Sequence, residues 1–104
     1  MKTATKKPID ESSKESSWTF LTNHLHVILC LHRQQETTVR SLALSIGITE
    51  RSVQRILNEL VDAKAITRER EGRNNIYKID YNFRLRHQLE KNHSIGELLE
   101  LLQE

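Results

Sequence analysis

The chain has 104 residues, of which 37% are apolar and 5% aromatic, a size that accommodates one small globular domain. No apolar run approaches the roughly 18 residues of a membrane-spanning helix, and the first residues lack the apolar stretch of a secretory signal. We therefore expect a cytoplasmic protein with no membrane partner. Because Cys30 is the only cysteine, an internal disulfide and a zinc site of the C-x-x-C type are excluded.

The net charge of +2 conceals an uneven distribution of charge along the chain. Residues 49–88 carry nine basic and six acidic side chains, whereas residues 89–104 carry one basic and four acidic side chains. Seven of the nine arginines lie in the first of these stretches. This distribution favours an anionic partner for the middle of the chain rather than for its end.

Residues 1–17 combine the only proline with many serines and lysines, and Ile9 is their only large aliphatic residue. Such a composition cannot bury enough apolar surface to offset the entropy of ordering, so it predicts a disordered tail. From Trp18 to about Gln34 the apolar residues follow a helical period over an arc wider than one buried stripe requires. This width predicts a first helix that packs on its own domain with one side and on a second chain with the other.

Two further helices are predicted in close succession, over residues 38–46 and 49–63. Thr38 and Thr49 are typical N-caps, and Gly47 between the helices tolerates the left-handed backbone of a helix end. The apolar side chains at helical spacing, which we expect to be buried, are Val39, Leu42, Ala43, Ile46, Val53, Ile56, Leu57 and Leu60.

After Ala63 the spacing of the apolar residues changes from a helical period to the alternation that is typical of β-strands, which predicts a β-hairpin. Strands are expected over residues 66–71 and 76–81, joined by the turn Gly72-Arg73-Asn74-Asn75, with Glu71 opposite Ile76. In this register one side of the hairpin carries Ile66, Tyr77, Ile79 and Tyr81, and the other carries the opposed pair Glu69 and Lys78.

Residues 82–93 fit either an irregular crossing or a short helix. After them, Ser94 and Glu97 have the spacing of a capping box, and leucines at helical period predict a helix of about nine residues. A helix this short is marginal alone, so it either completes the core of a single chain or joins two chains. We favour the second and assign residues 82–104 to dimerisation. The residues assigned to the dimer interface are Phe20, Val27, Leu31, Ile95, Leu98, Leu99, Leu101 and Leu102.

The segment LALSIGITERSVQRI, residues 42–56, has the alanine, glycine, valine and isoleucine spacing of a helix-turn-helix. With the arginine-rich hairpin, residues 18–81 resemble the winged helix-turn-helix transcriptional regulators of the MarR/ArsR-like family, and the similarity to small prokaryotic MarR-type regulators extends to Gly96-Glu97-Leu98-Leu99. The resemblance implies an α+β, mainly α fold of three helices and a hairpin wing with an added C-terminal helix. It also implies a homodimer that binds specific double-stranded DNA, with the helix over residues 49–63 in the major groove.

The exposed side chains of that helix support the resemblance independently, because Arg, Gln and Asn match guanine and adenine edges. Glu59 and Asp62 occupy its later turns, so we expect only its first half to approach DNA closely. We assign base contacts to Arg51, Gln54, Arg55 and Asn58. Phosphate contacts are assigned to Arg40, Thr49 and Ser52, and wing contacts to Arg70, Arg73, Asn74 and Asn75.

Other classes of function have less support in the sequence. A winged helix can also serve protein or RNA contacts, although the exposed face of residues 49–63 is neither apolar nor aromatic. Metal or redox sensing through His24, His26, Cys30 and His32 is disfavoured, because no three of these side chains converge on one helix. No P-loop, G-x-S-x-G or H-E-x-x-H motif is present, so we expect neither an enzyme nor a cofactor. The sequence identifies no operator and no small-molecule effector.

Overall fold

The computed structural model of the protein describes residues 18–103, and the tail predicted over residues 1–17 lies outside them. These residues form four helices and one antiparallel two-stranded sheet. In chain order the elements are α1 (Asn23–Arg33), α2 (Val39–Ile46), α3 (Glu50–Asp62), β1 (Ile66–Glu71), β2 (Asn74–Ile79) and α4 (Ile95–Leu102). Three helices followed by a hairpin constitute a winged helix, and the predicted mainly helical α+β fold class is confirmed. Over the described part of the chain, no helix is long and apolar enough to cross a membrane.

The first helix begins five residues later than its periodicity predicts. Thr22, with extended backbone angles, is the N-cap of α1, and its carbonyl oxygen accepts from the N–H groups of Leu25 and His26. The preceding Trp18 and Phe20 form an edge-to-face ring pair with centroids 5.0 Å apart. Their helical spacing in the sequence therefore does not reflect a helix.

Both sides of α1 are covered by the chain itself. Leu25 and Ile28 are buried on one side, and Val27 and Leu31 are completely buried on the other. The helix contacts α2, α3 and β2, so it lies in the middle of the domain. The wide apolar arc therefore reflects packing within one chain, and the prediction that one side of this helix contacts a second chain is wrong.

The two central helices begin and end as their sequence predicts. The Thr38 Oγ1 atom accepts from the N–H of Ser41 at 3.0 Å, and the Thr49 Oγ1 atom accepts from that of Ser52 at 3.0 Å. Gly47 ends α2 in the left-handed region with φ of 87°, where residues with a Cβ are disfavoured. The side chains predicted to line the buried side of α3 are all buried, namely Val53, Ile56, Leu57 and Leu60.

The end of α3 has an unusual residue in a left-handed position. Lys64 has φ of 70°, the only positive value at a non-glycine residue within 18–103. The N–H of Lys64 donates to the carbonyl of Val61, and the N–H of Ala65 donates to that of Leu60, both at 3.0 Å. This is the bond pattern of a Schellman motif, in which the left-handed position is usually glycine.

The hairpin has a shorter turn than the sequence predicts. Glu71 lies opposite Asn74, so the turn is only Gly72-Arg73, and Asn74 and Asn75 belong to β2. Gly72 has φ of 64° whereas Arg73 has no positive φ, which fits a type II′ turn. Because the pairing moves by two residues, each side chain keeps its side of the hairpin. Glu69 and Lys78 still form an ion pair at 3.5 Å, diagonally rather than directly opposed.

The C-terminal part docks on its own domain. No helix forms over residues 82–93, which cross the surface irregularly. Ser94 caps α4, and the predicted capping box with Glu97 is present. Four residues assigned above to the dimer interface are buried within the single chain and are not available to a partner, which corrects that assignment. They are Val27, Leu31, Ile95 and Leu99.

Candidate nucleic-acid interface

The four residues predicted to contact bases form one exposed stripe on α3. Arg51, Gln54, Arg55 and Asn58 are spaced by three, one and three residues, so they share a face of the helix. All four are exposed, while the opposite face packs into the core. A helix held by a fully buried face presents its polar face as a rigid surface, as recognition of base edges requires.

The start of α3 offers donors to an anion. Glu50, Arg51 and Ser52 form its first turn, where backbone N–H groups lack helical partners; the N–H of Ser52 already donates to Thr49 Oγ1, so those of Glu50 and Arg51 remain for a ligand. The Thr49 hydroxyl donates to the Ser52 Oγ atom at 3.0 Å, so Ser52 can donate its own proton outward. Arg40, in the first turn of α2, is exposed. The predicted phosphate contacts therefore all lie at helix starts, although Ser52 is half-buried.

Glu59 introduces a negative charge at the end of the stripe. Its Oε1 atom accepts from His24 Nε2 at 2.7 Å, and both carboxylate oxygens lie 3.4 Å from Arg55 Nη1. The hydrogen bond from His24 lowers the pKa of Glu59, and Arg55 lowers it further. This carboxylate therefore stays ionised and draws Arg55 towards the end of α3. The sequence pattern missed the contact of Glu59 with α1, because 35 residues separate it from His24.

The predicted wing residues divide between the two sides of the hairpin. Arg70 and Asn75 are directly opposed on the side that carries the buried Tyr77. Asn74 points to the other side, where its Nδ2 atom donates to the Glu36 carboxylate at 3.4 Å. Arg73 is exposed in the turn. Arg70 and Asn75 therefore lie on the side of the hairpin that faces α3, Asn74 lies on the other side, and Arg73 lies in the turn between them.

One further arginine belongs to this surface and was missed. Arg68 lies opposite Tyr77 on β1, and its Nη1 atom donates to Asn58 Oδ1 at 3.3 Å. The strand alternation places it on the same side as Ile66 and Arg70, a signal that the sequence contains. The hairpin and α3 therefore form one continuous surface with arginines from both elements.

The histidines and the cysteine of α1 do not form a common site. His26 contacts Asn23, and His32 Nδ1 lies 2.9 Å from the Tyr81 hydroxyl. Cys30 is half-buried, and burial raises the pKa of its thiol. Within residues 18–103, no three His, Cys, Asp or Glu side chains are grouped so that they could hold a metal ion.

Comparisons with known proteins identify the fold. No family model and no curated protein matches the chain. Among solved structures, the crystal structure of a predicted DNA-binding transcriptional regulator from E. coli is similar. The two superpose with a TM-score of 0.54 over 75% of this chain and 70% of that chain, at 15% sequence identity. At this identity the similarity establishes a shared fold.

Proposed function

We propose that this chain is a sequence-specific, double-stranded DNA-binding transcriptional regulator of the MarR/ArsR-like type, acting in the cytoplasm. Residues 18–81 are its DNA-binding domain, with α3 in the major groove and the hairpin as the wing. The observation that carries the proposal is the stripe of Arg51, Gln54, Arg55 and Asn58 on a rigidly packed helix. Its side chains are of the kinds that read base edges with paired hydrogen bonds.

Two classes of contact follow from the surface. The first half of α3 faces base edges, while the helix starts and the wing hold the phosphate backbone. Glu59 limits the approach of the second half of α3, because its charge repels phosphate. The absence of an exposed aromatic residue in the stripe over 51–58 disfavours single-stranded nucleic acid, which is typically bound by stacking.

The proposal includes a homodimer, with residues 82–104 as the dimerisation element. Two identical recognition helices would read two half-sites about 10 base pairs apart, the spacing of one turn of DNA. After the correction above, the exposed or half-buried members of the predicted interface are Phe20, Leu98, Leu101 and Leu102. The excess of acidic residues in 89–104 favours placing this end away from DNA.

Selection of bound fragments from a randomised duplex pool tests the proposal. We expect enrichment of a two-fold symmetric sequence, and a binding constant that falls steeply with salt because phosphates are neutralised. Equal binding of all duplexes would contradict sequence-specific recognition. Tighter binding of single-stranded RNA than of any duplex, or enrichment of a protein partner by the α3 stripe, would favour the alternative functions.

A further inference from the structure

We propose that Glu59 is a positioning residue for Arg55, and that it makes this arginine read a base edge rather than a phosphate. His24 on α1 in turn holds Glu59 in place. The proposal rests on the proposed function, in which Arg55 contacts a base, and adds what gives that contact its selectivity.

The three side chains form one connected cluster between α1 and α3. Glu59 Oε1 lies 2.7 Å from His24 Nε2, whereas Arg55 Nη1 lies 3.4 Å from each carboxylate oxygen. Ordinary N–H···O hydrogen bonds measure about 2.7–3.2 Å, so the contact with His24 is a short hydrogen bond and the longer contact with Arg55 is mainly an attraction between charges. His24 therefore fixes the carboxylate, and the carboxylate attracts the guanidinium.

His24 is a firm anchor because it belongs to a buried helix. Leu25 and Ile28, which follow it on α1, are buried, and α1 packs directly against α3. An exposed ion pair between Arg55 and Glu59 alone would be weak, because ordering two long side chains costs conformational entropy. The hydrogen bond to a second helix restricts Glu59 to one position, so Arg55 is restricted as well.

Arg55 keeps enough donors for a base. A guanidinium has five N–H donors, and over the described residues 18–103 only the Nη1 atom of Arg55 has a hydrogen-bond partner. Nε and Nη2 lie on one edge of the planar group, and two such donors match the O6 and N7 acceptors of guanine. The guanidinium can therefore contact Glu59 and a guanine at the same time.

The charge of Glu59 distinguishes a base from a phosphate. The hydrogen bond from His24, with a smaller effect of Arg55, lowers the pKa of this carboxylate, so it is ionised at neutral pH. A phosphate that approaches Arg55 also approaches this negative charge and is repelled, whereas a guanine edge carries no net charge. An arginine without such a neighbour binds phosphates of any sequence. Glu59 therefore lowers nonspecific affinity and preserves the specific contact.

Titrations of a specific and a nonspecific duplex at several salt concentrations test this role. In Glu59→Gln we expect about 3-fold tighter binding of the nonspecific duplex and little change for the specific one, because the repulsion of phosphate is lost. For the nonspecific duplex the slope of log affinity against log salt should become steeper by about 1, since Arg55 then neutralises one more phosphate. In an Arg55→Ala background, Glu59→Gln should leave this slope unchanged.

Asp62→Asn is the matched control for charge. Asp62 is exposed at the end of α3, and among residues 18–103 it forms no ion pair with Arg55. Its replacement removes one negative charge from the same helix without releasing the arginine. We expect both affinities to rise by the same factor, so that their ratio is unchanged.

Variants of His24 separate the anchor from the charge. His24→Leu keeps the charge of Glu59 but removes its anchor, so the specific duplex should bind about 3-fold more weakly while nonspecific binding stays constant. His24→Gln should bind like the wild type, because its amide N–H can donate to the carboxylate. His26→Leu is the matched control, since His26 lies on the same helix and contacts Asn23 instead. Circular dichroism checks that each variant is folded.

The results distinguish this role of Glu59 from the proposed function itself. If the wild type is specific and Glu59→Gln leaves the ratio of specific to nonspecific affinity unchanged, Glu59 does not position Arg55, and the DNA-binding function stands. The same conclusion follows if the steeper slope of Glu59→Gln persists in the Arg55→Ala background. Wild-type behaviour of His24→Leu would overturn the role of His24. A wild type that binds all duplexes equally would overturn the proposed function, and the role of Glu59 with it.

Discussion

Arg68 on β1 donates a hydrogen bond from Nη1 to Oδ1 of Asn58 on α3, with the two atoms 3.3 Å apart. The contact joins the wing to the recognition stripe. The bond occupies one of the two lone pairs of Oδ1, so Asn58 is weakened as an acceptor, whereas its Nδ2 group keeps both protons for a ligand. Asparagine prefers adenine because Oδ1 accepts from N6 while Nδ2 donates to N7, whereas Nδ2 by itself can donate to adenine, guanine or thymine.

We therefore expect Asn58 to favour adenine only weakly over guanine and thymine, and Arg68→Met to strengthen the preference for adenine. The position is located by the loss of preference in Asn58→Ala, and affinities are measured for duplexes with each of the four bases there. Arg70→Met is the matched control, because it removes the same charge from the same side of the hairpin. It should lower all four affinities equally. An unchanged preference in Arg68→Met would contradict this reading of Asn58.

Alanine variants should distinguish residues that contact bases from residues that contact phosphates. Arg51→Ala or Arg55→Ala should remove discrimination between specific and nonspecific duplexes, at about 1–3 kcal/mol each. Arg73→Ala should weaken all duplexes alike and reduce the slope of log affinity against log salt by about 1. Titrations at several salt concentrations measure both effects. If both α3 variants retained full discrimination, α3 would not be the recognition helix.

Lys64→Gly should stabilise the fold. The left-handed backbone at Lys64, with φ of 70°, is strained for a residue with a Cβ and unstrained for glycine. The relief exceeds the entropy that glycine adds to the unfolded chain, so we expect a gain of about 0.5–1 kcal/mol in the free energy of unfolding. Urea denaturation measures it. Lys64→Ala is the control, because alanine removes the charge and retains the strain; an equal gain in that variant would assign the effect to charge.

The stability contributed by the α4 capping box should depend on pH. The Ser94 N–H donates to Glu97 Oε1 at 2.7 Å, and this bond, with a smaller effect of His93, lowers the pKa of Glu97. Because the folded-state pKa is below the unfolded one, ionised Glu97 stabilises the fold above the unfolded pKa. This contribution is lost as the pH falls through the folded-state pKa.

Glu97→Ala should therefore lower the urea midpoint at pH 7, and its difference from the wild type should shrink in acid. Glu97→Gln is the control, because its amide oxygen can accept from the Ser94 N–H but cannot ionise. The difference in urea midpoint between the Gln and Ala variants should be similar at pH 7 and in acid. A wild-type advantage over Glu97→Ala that stays constant into acid would show that ionisation of Glu97 does not contribute.

Local features of the fold could be predicted from the sequence by itself. The caps at Thr38, Thr49 and Ser94 join groups three residues apart, and the left-handed end at Gly47 depends on one residue. The buried side of α3 follows from the helical period. The exposed stripe on α3 is the opposite side of the same helix, so it was equally predictable.

Contacts between distant residues were decided only by the tertiary structure. The sequence showed that α1 has a wide apolar arc, but only the packing of α2, α3 and β2 around it showed that one chain covers both sides. The hairpin register depended on a two-residue turn, and the contacts of Glu59 with His24 and of Arg68 with Asn58 depended on how elements pack. Hydrogen bonds and periodicity within an element are set by neighbours along the chain, whereas burial and charge pairing between elements are set by neighbours in space.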